Sequence, residues 1–279
     1  MITYTPRSEL CHPRKFLSRM LADLFTAREL AWRLFLRNVR TQYRQSLLGY
    51  VWAVIPPLVT TLIWVFLHSA GLVHVGVTTI IYPLYVLTGV LLWQVFVDAL
   101  NMPLSQLNGS KTLLGKLNFP REALIMAGLG EIVLNMGIRI IFLLLAFLVF
   151  RTAPPATFLL ALAGIFILVG FGLALGLLLA PFGLLYHDVP RALSVITTFW
   201  FFATPVVYPM TATTPAAFVI ALNPVTPLLV TTRTLMTTGL PSHAMGFWIA
   251  VFLTIPLFIV AWILFRLAMP HLIMRMTTR

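Results

Sequence analysis

Glu131, Asn135 and Arg139 interrupt a long apolar run at intervals of four residues, a spacing that stacks them along one face of an α-helix. Ionisable groups at that depth cost several kcal/mol unless they meet partners or water. Asp98, in the preceding apolar run, is a possible partner for the stripe. Two roles suit such groups, direct contact with a transported substrate or an internal polar network that holds helices together. Other reactive side chains are sparse. The six His, at 12, 68, 74, 187, 243 and 271, show no metal-ligand spacing. Residues Gly109 to Lys116 read G-x-x-x-x-x-G-K, one residue too long for a phosphate-binding loop. Leu117 also stands where a Ser or Thr would contact magnesium. Hydrolysis of ATP by this chain is not expected, and no acid/base, nucleophile or metal constellation favours a membrane-embedded enzyme.

The elements that must position these groups follow from composition. Of 279 residues 60% are hydrophobic and only 9% charged, and mean hydropathy is +0.97. Uncharged runs repeatedly reach the roughly 20 residues needed to cross a bilayer, so the expected class is an all-α, multi-spanning integral membrane protein. Six crossings are predicted, at about 48–69, 80–105, 123–150, 156–185, 191–210 and 245–269. They form a membrane domain over 47–279, preceded by a tail, 1–27, and an amphipathic segment, 28–46. Lys and Arg number nine through Arg44, three from Lys111 to Arg121, one at Arg191 and three from Arg266 onward. Sixteen of nineteen therefore fall on one side of a six-crossing topology, which predicts that both termini are cytoplasmic. That distribution makes the net charge of +12 a topological feature and argues against a nucleic-acid partner. The N-terminal stretch has charges and prolines instead of a short apolar run with a cleavage site, so a cleaved signal peptide is not expected. The single cysteine, Cys11, cannot form an intramolecular disulfide.

Local patterns refine this outline. Arg33, Arg37, Arg40 and Arg44 recur at spacings of four, three and four, with Trp32, Phe35, Leu36, Val39 and Tyr43 on a separate arc. Such a helix would lie in the membrane interface and bind membrane lipids; a simple topology anchor has the same pattern. Pro56-Pro57 must disturb the helical ladder of the first crossing. Gly172, Gly176 and Ala180 at intervals of four mark close helix packing. Residues 109–122, GSKTLLGKLNFPRE, form a basic island between two apolar runs and suit a cytoplasmic contact surface. Beyond Pro209, short apolar runs mixed with Thr and Pro are too brief to cross and suit re-entrant or interfacial helices on the outer side. Arg233 there reads as a surface charge, or as a contact for lipid phosphate.

RNVRTQYRQSLLGYVWAVIPPL, KLNFPREAL, YHDVPRAL followed by WFFATPVVYP, and ALNPVTPL occur in that order between about residues 28 and 235. Together they resemble the membrane subunit of ABC type-2 transporters, in the branch that exports lipid-linked polysaccharides such as O antigen, capsule or teichoic acid. The resemblance implies a homodimer of six-helix subunits in the bacterial cytoplasmic membrane, bound to two ATPase subunits that carry ATP and magnesium. This chain would hold no cofactor of its own. It also implies an amphipathic connecting helix at the N-terminus and a coupling helix between the second and third crossings. The coupling helix falls on the basic island, where Lys111, Leu113, Leu114, Lys116, Phe119, Arg121 and Glu122 offer apolar teeth and charged handles. A solvated turn in which Pro120 starts the third helix is the plainer alternative.

With a glycan as cargo, aromatic faces matter, because they hold sugar rings through apolar C–H contacts without demanding a particular hydroxyl pattern. Trp200, Thr204 and Tyr208 share one face of the fifth crossing, and Tyr50 and Trp52 of the first could contribute. Trp and Tyr near span ends also serve as interfacial anchors, so both roles remain open. Other readings are an ABC type-2 exporter of a drug or simple lipid and an enzyme of glycan or lipid synthesis.

Overall fold

The structure, a computed structural model, describes residues 13–44, 49–73, 75–116, 119–209, 217–239 and 244–277. Among these all regular structure is helical. Four helices are long and apolar enough to cross a membrane: α3 (Tyr82–Gly109), α5 (Glu122–Val149), α6 (Phe158–Leu185) and α10 (Ala244–Thr277). They occupy four of the six expected crossings. The other two differ in form. The first comprises a tight 3-10 turn at Gly49–Ala53 and a short helix, α2 (Ile55–Ser69). Pro56 and Pro57 occupy the first turn of α2, where a missing N–H costs nothing, so they start that helix instead of kinking one. Gly49 has φ +50°, a left-handed conformation that suits glycine at the break. The fifth comprises α7 (Asp188–Phe202) followed by non-helical backbone to Pro209. At 15 residues each, α2 and α7 are only about 22 Å long, short of the roughly 30 Å hydrocarbon layer.

Helix α3 is the centre of the fold. Of its most apolar window 78% is buried, against 22% for α10, so α10 keeps a lipid-type exterior while α3 is enclosed by its neighbours. Small residues on α6 make that enclosure close. A side chain at Gly176 would collide with the Leu100 carbonyl and Pro103, and one at Gly172 with Phe96 and Ala99. The small-residue stripe expected to mark helix packing thus lies on the α3–α6 contact.

Helix α1 (Pro13–Arg44) packs along α5. Its protein-facing side is small and aliphatic: Ala27, Ala31 and Leu34 are buried at helical spacing. Phe35 approaches Gly130 of α5, while Phe25 and Trp32 remain exposed. Arg33, Arg37 and Arg40 project outward; the side chain of Arg44 lies outside the described residues. After Pro209, two short helices form, α8 (Ala217–Leu222) and α9 (Val225–Thr237).

Candidate functional site

Four polar nodes interrupt the apolar body. The first is the basic island. It folds into a short helix, α4 (Lys111–Lys116), and the start of α5. Lys111, Leu113, Phe119 and Arg121 are half-buried. Leu114 is 4% exposed, and Glu122 is buried against α10, accepting a hydrogen bond from Arg266 at 3.1 Å. Leu114 and Glu122 are therefore not surface groups of this chain: the six-residue α4 turns Leu114 inward, and Glu122, in the first turn of α5, is drawn in by Arg266. The Lys116 side chain lies outside the described residues.

The second node belongs to Glu131. Its Oε1 accepts from Asn38 Nδ2 of α1 at 2.8 Å and from Gln106 Nε2 of α3 at 2.9 Å, and Asn38 also donates to Gln106 Oε1 at 3.2 Å. One carboxylate thereby joins three helices. Asn38 and Gln106 were not legible as partners, although Asn38 continues the buried spacing of Ala27, Ala31 and Leu34.

The third node lies deeper. Arg139 Nη1 donates to Asp98 Oδ2 at 2.6 Å, and its Nε donates to the Ala53 carbonyl at 3.3 Å. The stripe on α5 therefore has Asp98 as a partner, and it also reaches the break between α1 and α2. Asn135 is half-buried on the same face. With Gln106 level with Glu131 and Asp98 level with Arg139, α3 and α5 run antiparallel, and the first turns of α5 project beyond the Gly109 end of α3.

The fourth node surrounds residues 203–208. This segment leaves the helix inside the protein, so each carbonyl needs a donor. Asn223 Nδ2 donates to the Ala203 carbonyl at 3.4 Å and the Val206 N–H to that of Thr204 at 2.7 Å. Arg233 Nη1 donates to the carbonyls of Pro205 and Val206, each at 3.0 Å. The hydroxyls of Tyr82 and Tyr85 donate to Val207 and Tyr208 at 3.2 and 3.1 Å. Arg233 is only 3% exposed, and its guanidinium carbon lies 3.9 Å from the centroid of the Tyr85 ring. The expectation of a surface charge there is overturned. The charge is buried because it satisfies carbonyls that a broken helix leaves open. A side chain at Gly89 would collide with the Val206 carbonyl, which explains glycine at that position of α3. An arginine within a Thr-rich apolar run and two tyrosines three residues apart at the head of a long span were the available signals.

The aromatic residues divide accordingly. Trp200 packs edge-on against Phe96 and donates from Nε1 to Asn223 Oδ1 at 3.0 Å. Thr204 is fully buried and its hydroxyl donates to the Trp200 carbonyl. Tyr208 donates to the Phe202 carbonyl at 2.6 Å. These three hold the end of α7; Thr204 is enclosed, whereas Trp200 and Tyr208 are half-buried and keep part of their ring surface open. Tyr50 and Trp52 are open, at 46% and 53% exposure, as are Phe199 and Phe202 on the outer side of α7. Among the described residues no group of three or more His, Cys, Asp or Glu is placed to hold a metal ion.

No protein-family model matches the chain. It is similar to the O-antigen export system permease protein RfbA of Myxococcus xanthus, with 26% identity over 76% of this chain and 81% of that protein. The O-antigen export system permease protein RfbA of Klebsiella pneumoniae is 23% identical over 73% of this chain and 78% of its own length. The polysialic acid transport protein KpsM of Escherichia coli is 21% identical over 63% and 69% of the two chains. The likeness carried by the motifs thus extends along most of the molecule: this chain is similar to permeases of O-antigen export and to a polysialic acid transport protein.

Proposed function

We propose that the chain is the transmembrane subunit of an ATP-driven exporter that moves a lipid-linked polysaccharide across the bacterial cytoplasmic membrane. It is a permease and performs no covalent chemistry; ATP and magnesium are held by a separate ATPase subunit. The observation that carries the reading is similarity to polysaccharide-export permeases over about three quarters of the chain, joined to a helical, strongly apolar body.

In this reading the working unit is a homodimer with two ATPase subunits. Both termini and the α4 region face the cytoplasm, and six segments cross the membrane. Helices α2 and α7 support the dimer. Each is too short to span alone, and each carries an exposed apolar face, with Leu58, Leu62 and Phe66 on α2 and Val195, Phe199 and Phe202 on α7. Short helices flanked by irregular backbone are tolerated at membrane depth where they meet protein or a water-filled path, not lipid. A second copy across that face encloses a path bordered by Tyr50, Trp52, Phe199 and Phe202. Lys111, Leu113, Phe119 and Arg121 form the coupling surface for the ATPase. Helices α8 and α9 lie at the outer exit.

Disruption of the gene is expected to leave finished lipid-linked polymer inside the cell, with surface glycan lost; normal surface glycan in such cells contradicts the reading.

A further inference from the structure

Beside the Glu131 node lies a cavity of about 340 Å³ between α1, α3 and α5, within the size range of small-ligand pockets, roughly 300–1,000 Å³. Most of the residues that line it carry a polar or charged side chain. They include Arg37, Asn38 and Thr41 of α1, Ser105 and Gln106 of α3, and Glu131 of α5. The cleft is open to its surroundings on one side, where Arg37, Thr41 and Ser105 are exposed, so its polar groups are free to meet water or a ligand.

Three observations define what fits. First, the charges have opposite sign and do not neutralise each other. Glu131 has two donors on Oε1, both neutral amides, and among the described residues no cation lies within ion-pair distance of it. Among the described residues the Arg37 guanidinium bonds only to its neighbour Asn38, through Nε and Nη2. Second, the cleft lies near one end of α3, and the end of a helix longer than the hydrocarbon layer reaches the headgroup region. Gln106 lies within one turn of the Gly109 end of α3 and is level with Glu131 through their 2.9 Å hydrogen bond; at 1.5 Å per residue that places the cavity about 5 Å from the helix end. Third, α1 brings Arg33, Arg37 and Arg40 to the same border, while α5 continues away from it with exposed Val133, Ile141 and Leu145, a surface suited to acyl chains.

We infer that the cavity between α1, α3 and α5 binds a zwitterionic phospholipid headgroup bearing a primary amine, with the ammonium at Glu131 and the phosphodiester at Arg37. Asn38, Thr41 and Ser105 complete the hydrogen bonding. Tying α1 to α3 and α5 through a lipid sets the position of the interfacial helix on the bundle. The inference does not rest on the export reading, because it concerns the resident bilayer and not the cargo.

The test uses the protein purified with its co-assembled subunits and placed in nanodiscs of equimolar phosphatidylethanolamine, phosphatidylcholine and phosphatidylglycerol with matched acyl chains. Tightly retained lipid is then identified by mass spectrometry after delipidation. Phosphatidylethanolamine is expected to be retained about tenfold over the other two, because a quaternary ammonium cannot donate a hydrogen bond and a glycerol headgroup brings no cation. Glu131→Gln, which keeps an acceptor for Asn38 and Gln106, removes the preference over phosphatidylcholine. Arg37→Gln, an exposed change that leaves the packing intact, lowers retention of both phosphatidylethanolamine and phosphatidylcholine. Equal retention of all three lipids by the unmodified protein overturns the assignment, as would follow if a side chain of another subunit filled the cavity. Soluble glycerophosphoethanolamine is expected to compete only at concentrations far above those of the intact lipid, whose acyl chains add apolar burial; equal affinity of the two overturns the lipid as the source.

Discussion

At the scale of single residues, the structure assigns buried polar groups to backbone that leaves regular helix. Arg233 is the strongest case. Replacing it with Leu orphans the carbonyls of Pro205 and Val206, at about 1–3 kcal/mol each, and removes the cation over Tyr85. Arg233→Leu is therefore expected to lower stability by about 2–6 kcal/mol, measurable as a lower midpoint in detergent unfolding; an unchanged midpoint contradicts this role. Asp98 and Arg139 behave differently, because each exists for the other. Single changes to Asn and to Gln should each destabilise, whereas the double variant should be more stable than their sum by about 0.5–3 kcal/mol. Strict additivity would show that the 2.6 Å contact contributes nothing. Asp98 was legible as a possible partner of the α5 stripe because few carboxylates interrupt the apolar runs, but which member of the stripe it meets was not. Asn38 and Gln106 were not, since neutral amides on a helix carry no sign of what they will meet.

At the scale of elements, length and hydropathy located the long helices well, because a run of apolar residues has few alternatives in a bilayer. They did not reveal the internal breaks. The fifth run read as a continuous crossing and the first as one disturbed at Pro56-Pro57, whereas regular α-helix is interrupted at Gly49–Ala53 and after Phe202. Hydropathy cannot detect a chain that stays apolar while side chains elsewhere satisfy its backbone, as Tyr82, Tyr85, Asn223 and Arg233 do for 203–208. The same limit applies to α4, whose residue types suggested a contact surface without fixing which face was outward. The two faces of α4 and its flank now separate cleanly. Leu114→Ala, inside the core, should cost about 2–5 kcal/mol of stability and lower the amount of folded protein. Leu113→Ala combined with Phe119→Ala should leave folded protein in the membrane and lower export at a given rate of ATP hydrolysis by the partner. Assay of hydrolysis and export on the same preparation checks this; unchanged coupling would show that the α4 surface is only a turn.

At the scale of the whole molecule, the chain has the form of a moving part without an engine. It offers an apolar helical body and polar joints at the helix breaks. Its similarity is to permeases of polysaccharide export. The uneven placement of Lys and Arg leads from the sequence to the expectation of a common side for the termini, whereas the proposed face for a second copy has no such signal, since lipid and protein present similar surfaces to an apolar helix. The short α2 and α7 supply the missing criterion, because their ends require protein or water nearby. The most direct measurement is reconstitution of the purified chain in vesicles with and without its ATPase subunit, followed by the appearance of lipid-linked polysaccharide in the opposite leaflet. Translocation that requires both subunits and ATP is the expected result. Uphill translocation by this chain in the absence of the ATPase subunit would contradict the account.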